Sequence, residues 1–347
     1  MREIYLRVDK PLLQGIKPHE FMEMDSFRKD LSVDLVPRGN ALINFPYSQL
    51  IRANHIYDIE TMYKKYGISY TGFMPQIFIG KEIILLNYYG SIFEVDEENE
   101  VLIQLDYEKS MNSRQHFTFI DNGHVWYLVN PVYTIECIDG VITQYPVGIE
   151  TGLFFKNRFI FAGFTPPSTL SQYSMFDKLD KTSIWWSTVG GGFTTHQFQS
   201  SIDDLTYLKR YDLGFASVEG EVVKMIEFKD KFILATTKAV YLGDVLVGDI
   251  VTLSLSKILD YGIKDKCIEV LNGTIYLISS ADNLMVFDGQ EFKDLDYIHI
   301  FKDLSNLYML PNKKRQELYI CNGKDSFVLK ENNLYPLSKS ISAVTTI

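Results

Sequence analysis

CIEVLNGTIYLISSADNLMVFDG, residues 267–289, is the stretch on which the fold turns. It reads as an apolar strand, a polar tip at Asn272-Gly273, a strongly apolar strand, a second tip and a third strand. Asn-Gly between apolar runs signals a tight hairpin, because both residues tolerate the positive φ that a turn between right-twisted strands needs. The run from Ile275 to Ile278 does not alternate with polar residues. Such a strand is covered on both faces.

The same unit recurs outward from there. QIFIGKEIILLNYYGSIFEVD starts at Gln76, FTFIDNGHVWYLVNPVYTIECIDG at Phe117 and GLFFKNRFIFAGF at Gly152. MIEFKDKFILATTKAVYLGD starts at Met225, and LYMLPNKKRQELYICNGKDSFVLKENN at Leu307. Tips at Gly80, Asn122, Asn157, Asp230, Gly273 and Lys314 recur roughly every forty residues, a propeller period. Asp139-Gly140 and Asp288-Gly289 close the third and fourth strands of their units. One long interval, Asn157 to Asp230, holds an insertion, TPPSTLSQYSMFDKLDKT (residues 165–182), and a polar stretch after Gly192. The expected fold is all-β: a β-propeller of about six four-stranded blades over residues 71–347, whose sheets cover one another by radial stacking.

Residues 1–70 lack the hairpin series and read as an irregular, extended N-terminal arm with a short helix. Ile56, Ile59, Met62 and Tyr63 share a helical face between Asn54 and Tyr66, with Asn54 as N-cap. Ring closure calls for a terminal strand, and Leu42 to Phe45 or Ala343 to Ile347 are the candidates.

Composition agrees. Hydrophobic residues make up 46% of the 347, and Tyr (22) and Phe (23) dominate the aromatics, which suits pleated, half-buried surfaces. Net charge is −10. A nucleic-acid binder carries a basic face, and the densest basic run, Lys313-Lys314-Arg315, falls on a hairpin tip. Cys137, Cys267 and Cys321 lie far apart, without CxxC spacing, and read as buried strand thiols in a chain made in a reducing compartment. The opening MREIYLRVDK has no apolar core of a signal peptide, and no run is long enough to span a membrane.

Chemistry-bearing motifs are sparse. No GxSxG, P-loop, HExxH or strand-GxGxxG-helix pattern occurs. Gly190-Gly191-Gly192 leads into β-like Phe193-Thr194-Thr195, so it lacks the helix dipole of a phosphate cradle. His116 and His124 flank the Asn122-Gly123 tip, but two imidazoles without a third ligand are a weak metal case. Asp203-Asp204 and Glu97-Glu98 read as solvated loops. Neighbouring strand residues point to opposite faces, so Trp185 and Trp186 should enter opposite blade interfaces, or else one anchors a protein contact. Tyr173, Met175 and Phe176 in the insertion join them as candidate interface residues. No catalytic residue, cofactor or metal site is expected.

Gly152 to Phe193 runs as a strand, Lys-Asn-Arg, a strand ending in Ala-Gly, a Pro-containing loop, Ile-Trp-Trp-Ser and a Gly turn. This resembles the tail nozzle and packaged-DNA stabilisation proteins of short-tailed bacteriophages, the tail tubular protein B group. The matching positions are Asn157, Arg158, Ala162, Gly163, Trp186, Ser187 and Gly190. Residues 226–244 are similar to the strand pair that follows in that family, and Gln14-Gly15 through Pro37-Arg38-Gly39 to its extended N-terminal stretch. Gly191 stands where the family usually has Asp, and the chain is shorter than typical members. The resemblance implies a virion component, made in the host cytoplasm, in a homo-oligomeric ring with other tail or head-to-tail proteins. DNA would pass only as cargo, and the acidic balance would limit its retention. Two other readings stand beside it: a carbohydrate-active or lactonase-like propeller enzyme with inward carboxylates, and a scaffold or host-binding propeller.

Overall fold

The computed structural model describes residues 49–52, 55–58, 76–88, 91–96, 101–105, 116–165, 179–187, 189, 209–212, 216–246, 252–313, 315–322 and 325–337. A hairpin of β1 (Gln49–Arg52) and β2 (His55–Asp58) precedes six four-stranded antiparallel meanders. Blade 1 is β3 (Gln76–Ile79), β4 (Ile84–Tyr88), β5 (Ser91–Asp96) and β6 (Val101–Gln104). Blade 2 is β7 (Thr118–Asp121), β8 (Val125–Val129), β9 (Thr134–Ile138) and β10 (Val141–Tyr145). Blade 3 is β11 (Gly148–Phe155), β12 (Arg158–Thr165), β13 (Ser183–Trp186) and β14 (Lys209–Asp212). A single helical turn, α1 (Ala216–Glu219), leads into blade 4, with β15 (Val222–Phe228), β16 (Lys231–Thr236), β17 (Val240–Leu246) and β18 (Thr252–Leu259). Blade 5 is β19 (Ile263–Leu271), β20 (Thr274–Ser279), β21 (Leu284–Phe287) and β22 (Phe292–Asp294). After α2 (Ile298–Phe301), blade 6 is β23 (Tyr308–Asn312), β24 (Glu317–Cys321), β25 (Ser326–Lys330) and β26 (Asn333–Leu337).

The chain is a β-propeller. Every blade is built from four strands in sequence order, and the first strands of blades 5 and 6 run parallel where Lys266 meets Tyr308. Blades 1 and 6 are therefore complete without a borrowed strand. The two segments expected to close the ring, Leu42 to Phe45 and Ala343 to Ile347, lie outside the described residues. The expected helix from Asn54 is also corrected. His55–Asp58 is a strand in register with Gln49–Arg52, pairing Ile51 with Ile56 and Leu50 with Tyr57, and β-branched and aromatic partners of this kind favour a hairpin. Residues 59–66 lie outside the described part.

Second strands carry the core. β8 and β24 are buried at all five positions, and β12 at all but its last. In β20, Ile275, Leu277 and Ile278 are fully buried. The tips that join first to second strands behave as the sequence requires. Lys156 and Asn157 have φ of 46° and 62°, and Asn272 and Gly273 have 52° and 70°, the left-handed pair of a type I′ turn. At the Asn122-Gly123 tip the Asn122 side chain accepts hydrogen bonds from the backbone of His124 (2.8 Å) and Val125 (2.7 Å). Lys313 and Arg315 lie in the turn between β23 and β24, as the basic run suggested.

Strand direction gives the ring two unlike faces. Tips joining strands one to two and three to four share the first face. There a tip lysine reaches the next blade three times: Lys81 Nζ donates to Asn122 O (2.9 Å), Lys156 to Asp244 (2.5 Å) and Lys229 to Asp288 O (3.3 Å). The opposite face gathers the blade-to-blade connections and those between second and third strands. Glycine permits close packing there: a Cβ on Gly148 would lie 2.0 Å from Pro131 O, and one on Gly262 2.1 Å from the Thr237 carbonyl carbon.

Ile278→Asp places a carboxylate between two covered sheets, with no partner to receive it. It should cost about 4 kcal/mol or more, read as a lowered urea midpoint. A wild-type midpoint would mean that this strand is not enclosed.

Candidate functional site

The first strands surround an axial cavity of about 830 Å³, lined by residues of all six blades. Its mouth lies on the face of the blade-to-blade connections, since Phe117, Pro131, Thr237, Ile263 and Leu307 line it there. One side of the wall is aromatic and aliphatic, with Phe78, Phe117, Tyr308 and Leu310. The other side carries charge from blades 3 to 5: Glu150, Lys224, Asp265, Lys266 and Glu269.

Those charges engage one another across blade boundaries. Lys266 of blade 5 pairs with Glu150 of blade 3 at 2.9 Å, with Lys181 a further 3.9 Å neighbour of that carboxylate. Lys224 of blade 4 pairs with Glu269 of blade 5. Asp265 accepts a hydrogen bond from the Leu307 backbone at 2.8 Å and so fixes the entry to blade 6. Gln76 does the equivalent between blades 1 and 2: its amide oxygen accepts from Phe117 N at 2.7 Å, and its nitrogen donates to Phe117 O at 3.1 Å. His116 packs on the Tyr308 ring, with centroids 5.7 Å apart. Burial and the nearby Lys266 ammonium hold the imidazole down to about 4, so it is neutral at physiological pH. Burial also raises the Tyr308 phenol above its ordinary value.

The residues singled out in the sequence fall elsewhere. Trp185 sits between blades 2 and 3 with Phe161 and Phe164, and Trp186 between blades 3 and 4 with Met225 and Phe232. Opposite insertion of the two rings is thus what the strand produces. As contact anchors on the surface they are corrected, because their exposures are 6% and 3%. Tyr173, Met175 and Phe176 lie outside the described residues, as does Gly190. The base of the insertion is described: Phe164 N donates to Asp180 O at 2.9 Å, and Thr182 Oγ1 to Asp180 Oδ1 at 2.7 Å, so the insertion springs from a fixed foot on the cavity-mouth face.

The positions that carry the phage resemblance build blade 3. Asn157 makes its tip. Arg158 is buried and donates to Ser187 O at 2.8 Å, while Ser187 Oγ accepts from Phe159 N at 3.0 Å. Ala162 packs with Trp186. Gly163 adopts φ 72°, and a Cβ there would meet Glu150 Cβ at 2.7 Å. That glycine leaves room for a carboxylate of the axial wall.

His116 and His124 do not meet, since one lines the axis and the other stands exposed at the far tip of the hairpin. Among the described residues no three His, Cys, Asp or Glu side chains converge as a metal site. No helix among them is long and apolar enough to cross a membrane. Cys137, Cys267 and Cys321 are buried free thiols on strands, as expected. Sequence reading missed the axial residues. Their signal was charge within otherwise apolar first strands: Glu150 in GIETGLFF, Lys224 in VVKMIEF, Lys266 and Glu269 in IKDKCIEVL.

No protein-family model and no curated protein matches the chain. Among solved structures it is similar to one described as YCF48 bound to D1 peptide, at 15% identity and a TM-score of 0.41, covering 64% of this chain and 68% of that one. The propeller assignment stands on the strand order itself.

His116 generates a pH prediction. Between its folded value near 4 and the ordinary 6.5, the unfolded chain binds a proton that the folded chain refuses. This contribution is complete above pH 6.5 and is lost as pH falls toward 4, by on the order of 3 kcal/mol. His116→Gln should flatten the fall in urea midpoint across that window. Identical slopes for the two proteins would remove His116 from the account.

Proposed function

We propose that this chain is a structural subunit of a short-tailed phage virion, part of a homo-oligomeric head-to-tail or tail ring around the DNA exit channel, with no catalysis of its own. One observation carries the proposal: the carboxylates that line the axis are engaged by lysines or backbone of neighbouring blades. Glu150 and Glu269 are held by Lys266 and Lys224, and Asp265 caps the blade 6 entry. A glycosidase needs a carboxylic acid and a second carboxylate placed to act on opposite sides of one bond. Carboxylates clamped in ion pairs instead hold blades in register.

The resemblance supplies the assembly context: the matching residues shape β12 and β13, the two strands between which the insertion lies in sequence. The net charge of −10 suits passage of DNA without adhesion, since phosphate retention depends on lysine and arginine contacts. The lactonase or carbohydrate reading draws on the inward carboxylates, and a hydrolytic activity lost in Glu269→Gln would favour it. A scaffold or host-binding propeller remains the reading for a protein found outside particles.

Deleting residues 168–178 leaves the buried Leu179 and the foot at Asp180 in place. Because loop closure depends only weakly on length, the melting temperature should stay within about 1 °C of wild type, which corresponds to under roughly 1 kcal/mol for a chain of this size. Incorporation into particles, read by mass spectrometry and electron microscopy, should be lost. Normal incorporation of the deletion variant would defeat the role of the insertion, and absence of the wild-type chain from particles would defeat the virion reading.

A further inference from the structure

The axial cavity and its rim ask for a guest with two properties. Inside, the charged groups named above are engaged, and most of the remaining wall is apolar, with Gln76, His116, Thr118, Thr237 and Asn306 as its uncharged polar members. The part that enters must be apolar, because an unpaired charge placed there would lose its hydration without compensation. Among the described residues in the connections of that face, Glu221, Asp260, Asp296 and Asp303 stand exposed, against Lys238 and Lys302. The same connections expose Val132, Val218, Tyr261 and Ile298. A cavity of this size takes a guest of a few side chains. The complementary ligand is a polypeptide with a short apolar core flanked by cations.

The chain carries such a segment. In REIYLRVDK, residues 2–10, Ile4-Tyr5-Leu6 are flanked by Arg2, Arg7 and Lys10 against Glu3 and Asp9, so its side chains carry +1 where the whole chain carries −10. The stretch between Lys10 and β1 at Gln49 spans on the order of 130 Å when extended, enough to reach a neighbouring propeller. Copies that each carry −10 repel one another, and a cationic, apolar arm seated on an acidic rim would offset that repulsion locally. We propose that the axial cavity of one copy receives residues 2–10 of a second copy, with Tyr5 inserted between the aromatic and charged walls. This assignment rests on the ring reading above for the identity of the guest.

The full-length chain tests it. Tyr5→Asp alters the arm without touching a blade, and Val223→Trp fills the cavity wall. Oligomer mass by light scattering, across a concentration series, should show each variant assembling only at concentrations raised at least about tenfold, as loss of an aromatic anchor implies. Excess free peptide MREIYLRVDK should dissociate the wild-type oligomer. An unchanged melting temperature for Tyr5→Asp ties the effect to assembly. Oligomers indifferent to Tyr5→Asp and to the peptide would overturn the arm assignment and leave the ring reading standing. A wild-type chain that stays monomeric throughout would overturn both.

Discussion

A strand that is apolar on both faces cannot end at water, and this constraint shapes the rest of the molecule. β12 shows its consequence most fully. Phe159 and Phe161 pack toward blade 2 around Tyr127, while Ile160 and Ala162 pack toward blade 4 with Phe232 and Leu234. Neither layer can be covered by a helix, because the described helices are single turns. Each sheet must therefore be covered by another sheet, and repetition around an axis is the arrangement that covers every sheet while leaving only short edges.

Energy and register come from different groups. Burying a large apolar side chain contributes about 1.5–3 kcal/mol, and Tyr127, Phe159, Phe161 and Phe232 are each at most 1% exposed. By comparison, a partly exposed pair such as Lys156–Asp244, with side chains 39% and 23% accessible, adds roughly 0.2–1 kcal/mol. Burial holds the ring together. The tip lysines and the axial pairs add little stability, but they reward only one offset between adjacent blades, and aromatic packing alone discriminates offsets poorly. Partly buried pairs such as Lys224–Glu269 have this role on the axis, where like charges left facing one another would be costly.

What was legible in the sequence follows from the range of the interactions involved. Tips and second strands were readable because turn chemistry and double-sided burial are written in neighbouring residues: Lys156-Asn157 and Asn272-Gly273 are I′ turns for local steric reasons. The opposite placement of Trp185 and Trp186 followed from strand pleat alone. The hairpin at His55–Asp58 was misread because Ile56 and Ile59 also fit a helical stripe. Pairing with Ile51 and Leu50 decides between the two, and it is invisible in a window that starts at Asn54. The axial site was not legible because Glu150, Lys224 and Lys266 come together only when three blades close around one axis. In isolation each looks like a solvated strand residue.

Gly163 connects the readable motif to the unreadable site. It was noted as part of an Ala-Gly strand ending, yet its left-handed φ and missing Cβ accommodate Glu150 from the opposing strand. Two residues further on, β12 ends and the insertion departs toward the cavity-mouth face, with its foot held by Asp180. A larger residue at 163 would push Glu150 away from Lys266 and tilt the insertion's exit together. The motif residues are thus building residues of blade 3, with Asn157, Arg158 and Ser187 at its tip end and Gly163 near the end that bears the axial mouth and the base of the insertion. Any partner that engages this chain through those features must approach from that side, which leaves the lysine-clamped tips opposite free to keep the ring in shape.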